Sequence, residues 1–419
     1  MESYNFKRID DKILVYEDNE KWKFLLLLLN PFLAYVVSFF TLKEKSSIRV
    51  LFLFFVLFGF SLVVKLSNPE DCSRYLGEYL QFCSNPKENF RIVWQDYFGN
   101  PDQRTVKDIY QYILFYICAR ILPGNYHLVW GINSIVFAYF YTKSLAYITR
   151  LDNYHKTWPL LILTLVFMFS NPIYNSSSIR FFTASWIAVY ATLKIVVDKK
   201  IVYFVLLALT PLVHSTFMIY VAFVIISIII KQIGMPLLTV IFILSFVFST
   251  LALNFVVDFK DILPPIIQRQ IWSYVESDTA LTRILGVEFD ALPLYAKVFT
   301  RLPHYFETLL LIILIIKNKV FNNESNRVLK YLIAYFSLVN FISIIPSCAR
   351  FYTCAIPFIV FLWIANYRHL LNYNKLLLFA PLVYSYSILY WMRKMFLVID
   401  PTIFVLPYPI QLLKTLLLT

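Results

Sequence analysis

The sequence predicts an all-α fold: a polytopic transmembrane helical bundle of about 12–14 membrane segments, with extracytoplasmic loops carrying short or re-entrant helices. Two observations lead there. Hydrophobic residues make up 59% of the 419-residue chain and charged residues only 15%, a balance that suits a lipid solvent better than water. Apolar runs approaching the roughly 20 residues that cross a hydrocarbon layer recur along the chain, without the strict alternation of barrel strands.

The first run, residues 24–42, follows Lys21 and Lys23 as a signal peptide would, but it is too long and no small-residue cleavage site follows; a retained helix is expected. Further spans are expected at 48–64, 126–148, 158–169, 181–197, 201–212, 217–230, 235–257, 305–316, 332–345, 351–365 and 376–390. The stretch 201–230 is too long for one crossing and is interrupted by Thr210-Pro211-Leu212-Val213-His214-Ser215-Thr216, which reads as a tight outward hairpin.

Lysine and arginine in the short loops set the orientation. Lys43/Lys45/Arg49, Arg150/Lys156, Lys199/Lys200, Lys231, Lys317/Lys319/Arg327/Lys330 and Arg368/Lys375 are assigned to the cytoplasm. Parity then requires residues 108–122 to be re-entrant or interfacial, and puts residues 1–23 outside. The chain is one integral membrane domain, 1–419. It has a large extracytoplasmic loop at 66–125, a second at 258–304, and an extracytoplasmic tail at 391–419.

The formal charge of +13 is spread over helix ends without a long basic run, so membrane topology explains it and nucleic acid is excluded as a partner. Cys72, Cys83, Cys118, Cys348 and Cys354 lack metal-ligand spacing. On one helix, Cys72 and Cys83 would stand about 16 Å apart, too far for a disulfide. Phosphate-cradling glycine loops, G-x-S-x-G, HExxH and acidic metal clusters are missing from the sequence, so neither a metal nor a cofactor is expected.

The outer segments are richer in arginine and the inner loops in lysine. Arginine's planar fork holds phosphate oxygens bidentately. Asp71, Tyr75, Tyr79 and Phe82 share one face of an expected helix, with Arg74 beside them; carbohydrate and phosphate recognition or an interfacial aromatic belt both fit. Arg180, after Ser176-Ser177-Ser178-Ile179, and Arg350, after Pro346-Ser347-Cys348-Ala349, each open an apolar helix at the outer side. A pyrophosphate could sit between two such ends. The alternative is snorkelling, but a cation at a helix N-terminus opposes the dipole and needs an anion to offset it. His214 is placed near the outer surface, as a proton shuttle, a phosphate-oxygen partner or a structural hydrogen-bonded group. Further outer candidates are Arg301 with His304, Arg283, and Asp400 with Tyr408.

The order of these pieces resembles the EpsG family, the Wzy-type polymerases of bacterial O-antigen, capsular and exopolysaccharide chains. Asp71-x3-Tyr75-x3-Tyr79 is similar to that family's aspartate–tyrosine pattern, and Ser178-Ile179-Arg180 to its "IRQ" helix start. Val213-His214-Ser215-Thr216 resembles its "FHSS" hairpin, Ala349-Arg350-Phe351-Tyr352 its "ARF" helix start, and Leu406-Pro407-Tyr408 its C-terminal "LPY". The chain departs from it at Pro69-Glu70, at Phe181 and at Pro409, and carries an extra 23 residues at its start.

The resemblance implies a membrane glycosyltransferase of the bacterial inner membrane that joins undecaprenyl-pyrophosphate-linked oligosaccharide repeats at the periplasmic face. A flippase and a chain-length regulator of the same pathway are implied as partners. In that setting Arg180 and Arg350 are expected to hold the pyrophosphate, with Arg74 assisting. Asp71 or His214 would deprotonate the attacking hydroxyl, and Tyr75, Tyr79 and Tyr352 would contact sugars. A lipid-linked oligosaccharide flippase and a membrane acyltransferase are the rival expectations.

Overall fold

A computed structural model describes residues 21–67, 71–99, 106, 108–230, 232–247, 293–343 and 348–417. Its regular elements are helical; a single antiparallel bridge, Leu62 to Ile399, is the β-type pairing among the described residues. Residues 1–20, Asn68-Pro69-Glu70, Lys231, Arg283 and most of the loop expected at 258–304 lie outside the description.

The expected first span is two helices, α1 (Lys21–Leu29) and α2 (Pro31–Phe39). Asn30 breaks it: its side chain accepts from Leu33 N while Pro31 opens the next turn, a local N-cap that outweighs the apolar continuity. Then follow α3 (Lys45–Phe60), α4 (Asp71–Phe82), α5 (Pro86–Phe98), α6 (Tyr110–Ile121), α7 (Tyr126–Thr149), α8 (Trp158–Ser170) and α9 (Phe181–Thr192). The run 201–212 is split at Leu209 into α10 (Tyr203–Ala208) and α11 (Thr210–Val213), with Pro211 in the first turn of α11, followed by α12 (Phe217–Ile230) and α13 (Met235–Val247). The C-terminal part comprises α14 (Leu294–Ile316), α15 (Asn323–Ile342), α16 (Tyr352–Ala365), α17 (Asn374–Leu377), α18 (Ala380–Val398) and α19 (Tyr408–Leu417).

Three described helical stretches are long and apolar enough to cross a membrane: Trp158–Ser178, Leu294–Ile316 and Cys348–Ala365. A bent pair, Tyr367–Leu377 with Ala380–Val398, makes a fourth if it is one broken span. Among the described residues, Asn30-Pro31 divides the run expected at 24–42 and a break ahead of Pro211 divides the run expected at 201–212, whereas α7 runs unbroken for 24 residues. Residues 294–304, expected in an outer loop, are the first half of α14. Residues 391–398, expected to begin the tail, continue α18. The stretch 108–122 supplies α6, whose 12 residues extend about 18 Å, short of the hydrocarbon thickness.

Large apolar side chains stand exposed on α10, α13 and α18, among them Val205, Ile243, Leu382 and Leu389. Patches of this kind mark contact with lipid or another protein rather than water. Inside, α3 and α7 lie closest: a Cβ on Gly59 would meet Ser134 Oγ at 2.0 Å, and one on Gly131 would meet the Phe60 ring at 2.3 Å. α7 also packs on α9, which touches α16. The C-terminal α19 returns to α3 and α7, with Gln411 Nε2 donating to Ser61 Oγ (3.1 Å); ahead of it, Val63 N donates to Val398 O (2.6 Å) and Asp400 N to Ser61 O (2.8 Å).

Candidate functional site

The turn between α8 and α9 is built from buried amides. Asn171 Nδ2 donates to Phe182 O (3.0 Å), Asn175 Nδ2 to Asn171 Oδ1 (2.9 Å), Trp130 Nε1 to Ser177 O (2.9 Å) and Asn133 Nδ2 to Ser176 O (2.8 Å). The last two bonds fix Ser176 and Ser177 against α7, and the first ties the turn to α9. The chain then turns through Ile179, fully buried at φ 20°, a conformation costing a β-branched residue about 1–3 kcal/mol. The strain sits immediately before Arg180, which precedes the first turn of α9.

Arg180 is held from two sides. Its Nε donates to the Tyr75 hydroxyl (3.0 Å) and its Nη1 to Asp108 Oδ2 (2.8 Å). Asp108, 3% exposed, accepts at its other oxygen from Ser215 N (2.6 Å), on the hairpin between α11 and α12. One buried carboxylate therefore ties the start of α9 to the His214 hairpin. Burial acts to lower the guanidinium pKa, but Tyr75 and Asp108 outweigh it and hold Arg180 protonated. Nη2 has no hydrogen-bond partner among the described residues, and the side chain is 22% exposed, so part of the fork faces outward.

His214 is donated to at Nδ1 by Thr216, through both Oγ1 (2.8 Å) and backbone N (3.4 Å). A backbone N–H can only donate, so Nδ1 is the acceptor and Nε2 carries the proton. Burial, with the fields of Arg180 and Arg350, pushes the imidazole pKa down to about 4 against the raising field of Asp108. In this arrangement the neutral imidazole of His214 offers Nε2–H as a donor. Phe181 packs edge-on against His214 (5.4 Å between centroids) and also against Phe351 (5.3 Å).

Phe351 brings Arg350 to the same end of the bundle. Arg350 is exposed, on the 3₁₀ turn Cys348–Phe351, and not in the first turn of α16 itself. Asp71 opens α4, with Arg74 Nη2 3.3 Å away; Arg74 also faces Glu78 at 3.7 Å and is 52% exposed. Arg74 is thus balanced by its own helix.

Two expected sugar contacts are placed elsewhere. Tyr79, on the same face as Tyr75, is fully buried; its ring packs on Phe115 and its hydroxyl donates to Leu122 O (3.4 Å) and Asn125 O (3.5 Å). Tyr352 donates to Asn340 Oδ1 (2.5 Å) and packs on His304 (4.3 Å), in a separate cluster. Tyr75 is itself 2% exposed, with burial raising its phenol pKa, so it positions Arg180 and offers no open ring face. The structure joins Arg180, Tyr75, Asp108 and the His214 hairpin, with Arg350 and Asp71 at the rim. Asp108 is the residue missed by sequence reasoning; the one signal was that a cation at a helix start needs an anionic offset.

No family model, curated protein or solved structure matches this chain.

Proposed function

We propose that the protein is a multi-pass glycosyltransferase of the bacterial inner membrane that polymerises undecaprenyl-pyrophosphate-linked oligosaccharide repeats at the periplasmic face. The observation that carries this reading is the Arg180 guanidinium, anchored by Asp108 and Tyr75, with three N–H groups left over among the described residues, beside a neutral His214 and the exposed Arg350. That is an arrangement suited to an anion. The exposed apolar faces of α10, α13 and α18 support a bilayer setting.

In the reaction, the acceptor hydroxyl oxygen bonds to the anomeric carbon of the donor sugar as the bond from that carbon to the pyrophosphate oxygen breaks. The hydroxyl proton passes to the Asp71 carboxylate, which is 45% exposed and pairs with Arg74 one turn along its helix. Asp108 is unsuited to the task, because both its oxygens are engaged. Charge developing on the departing pyrophosphate is met by Arg180 and Arg350, with the His214 Nε2 proton as a further donor.

Deleting the gene and resolving the surface glycan by gel tests the reading. Loss of the long-chain ladder with single-repeat material retained supports it; loss of both supports a flippase. One observation favours that second reading. Glu307, 4% exposed, lies about 14 Å from the Ile316 end of α14 and accepts from the Tyr384 hydroxyl (2.5 Å). A carboxyl at that depth is the kind that couples transport to protons. If Glu307→Gln abolishes transfer of lipid-linked repeats across vesicles while polymer joining continues, the flippase reading replaces the polymerase.

A further inference from the structure

A partly open cavity of about 300 Å³ lies between the ends of α3 and α7 and the C-terminal helix α19, lined by Val63, His127, Asp400, Lys414 and Thr415. It is large enough for a single sugar ring. Its polar groups are fixed by their other bonds. Asp400 Oδ1 accepts from Thr402 N (3.0 Å), and Oδ2 from Lys414 Nζ (2.5 Å) and Gln411 Nε2 (3.4 Å). A carboxylate offers about four acceptor positions, so one is left. Lys414 Nζ gives a second proton to Thr402 Oγ1 (3.0 Å) and keeps a third. His127 Nδ1 bonds Phe60 O (2.9 Å), which makes it the donor there and leaves Nε2 to accept in the neutral ring.

The cavity thus presents two acceptors and one ammonium donor, with the lysine charge already matched by Asp400. That set recognises hydroxyl groups, each of which gives and takes a hydrogen bond, and it offers no surplus charge to a phosphate or carboxylate. The position is connected to the Arg180 site. Asn125 Nδ2 donates to Thr415 O (3.4 Å) and Leu416 O (3.1 Å), and Asn125 O accepts from Tyr79, one turn along α4 from the Tyr75 that holds Arg180.

We infer that this cavity binds a neutral pyranose of the acceptor glycan, at the same end of the bundle as the pyrophosphate site. The inference rests on the polymerase reading for its ligand class. Asp400 and Lys414 grip vicinal hydroxyls, His127 takes a third, and the glycan chain runs from here toward Arg180.

The test uses the full-length protein in lipid nanodiscs and two probes in equilibrium dialysis. One is the repeat-unit oligosaccharide released by mild acid from its lipid carrier; the other is farnesyl diphosphate. Lys414→Met and His127→Gln should each weaken oligosaccharide binding at least tenfold. Val63→Trp, which narrows the cavity and leaves every polar bond in place, should do the same. All three should bind farnesyl diphosphate as the unaltered protein does, which also certifies their folding. Arg180→Ala should show the reverse pattern. Oligosaccharide binding that is absent from the unaltered protein, or unchanged in Val63→Trp, overturns the acceptor cavity. Farnesyl diphosphate binding that survives Arg180→Ala counts separately against the pyrophosphate site.

Discussion

Arg180 and Asp108, 72 residues apart in the chain, meet at 2.8 Å inside the bundle, and the same aspartate receives Ser215 N from a third segment. This pairing converts three separate stretches of sequence into one site.

Removing one partner of such a pair leaves the other charge buried and unmatched, at a cost of about 3 kcal/mol. Asp108→Ala should therefore lower the thermal unfolding midpoint of the detergent-solubilised protein and abolish activity. The double variant Asp108→Ala/Arg180→Ala should be more stable than the sum of the single losses implies. Additive losses would mean that the two side chains are not coupled.

Tyr75 and Tyr79 occupy one helical face but have different duties. Tyr75→Phe removes an acceptor from Arg180 and should reduce polymer formation about tenfold with protein levels unchanged. Tyr79→Phe loses only long bonds to two carbonyls and should leave activity within about twofold. Equal effects of the two substitutions on glycan ladders would remove Tyr75 from the site.

His214 gives a pH signature. Its folded pKa lies near 4, below the ordinary 6.5, so the unfolded chain binds the extra proton first as pH falls. The stability it contributes is complete above about 6.5 and is lost progressively toward pH 4. Unfolding midpoints measured across that window should decline in the unaltered protein and decline less in His214→Gln. Parallel curves would show that the imidazole is not the group responsible.

The contact of α3 with α7 has no room for side chains at Gly59 or Gly131. Gly59→Val should cost at least about 1–3 kcal/mol through overpacking, read as reduced yield and a lower unfolding midpoint. An unaltered midpoint would mean that the two helices can separate.

Much of this was legible because it is local. The start of α9 at Arg180, the common face of Asp71, Tyr75 and Tyr79, and the hairpin at His214 follow from residue spacing and apolar runs. Asn30-Pro31 carried a readable cap signal that the hydropathy of the run masked. The partner of Arg180 was not readable, because Asp108 lies in no motif and its bonds are made across 72 and 107 residues. Nor does spacing tell what a buried tyrosine meets: Tyr75 and Tyr79 share a face and are both buried, and only the packing shows that Tyr75 accepts from Arg180 while Tyr79 is sealed against Phe115 of α6. The tautomer of His214 depended on Thr216 N, a backbone group whose direction only the folded hairpin sets.

The most direct measurement is the surface-glycan ladder from cells whose only copy carries Arg180→Ala, with membrane insertion confirmed at the normal level. Losing a preorganised donor to a departing anion lowers the rate about 10²–10³-fold. The ladder should therefore collapse to single-repeat material, and Arg180→Lys should restore little of it. A full-length ladder from Arg180→Ala would contradict the pyrophosphate site on which this account depends.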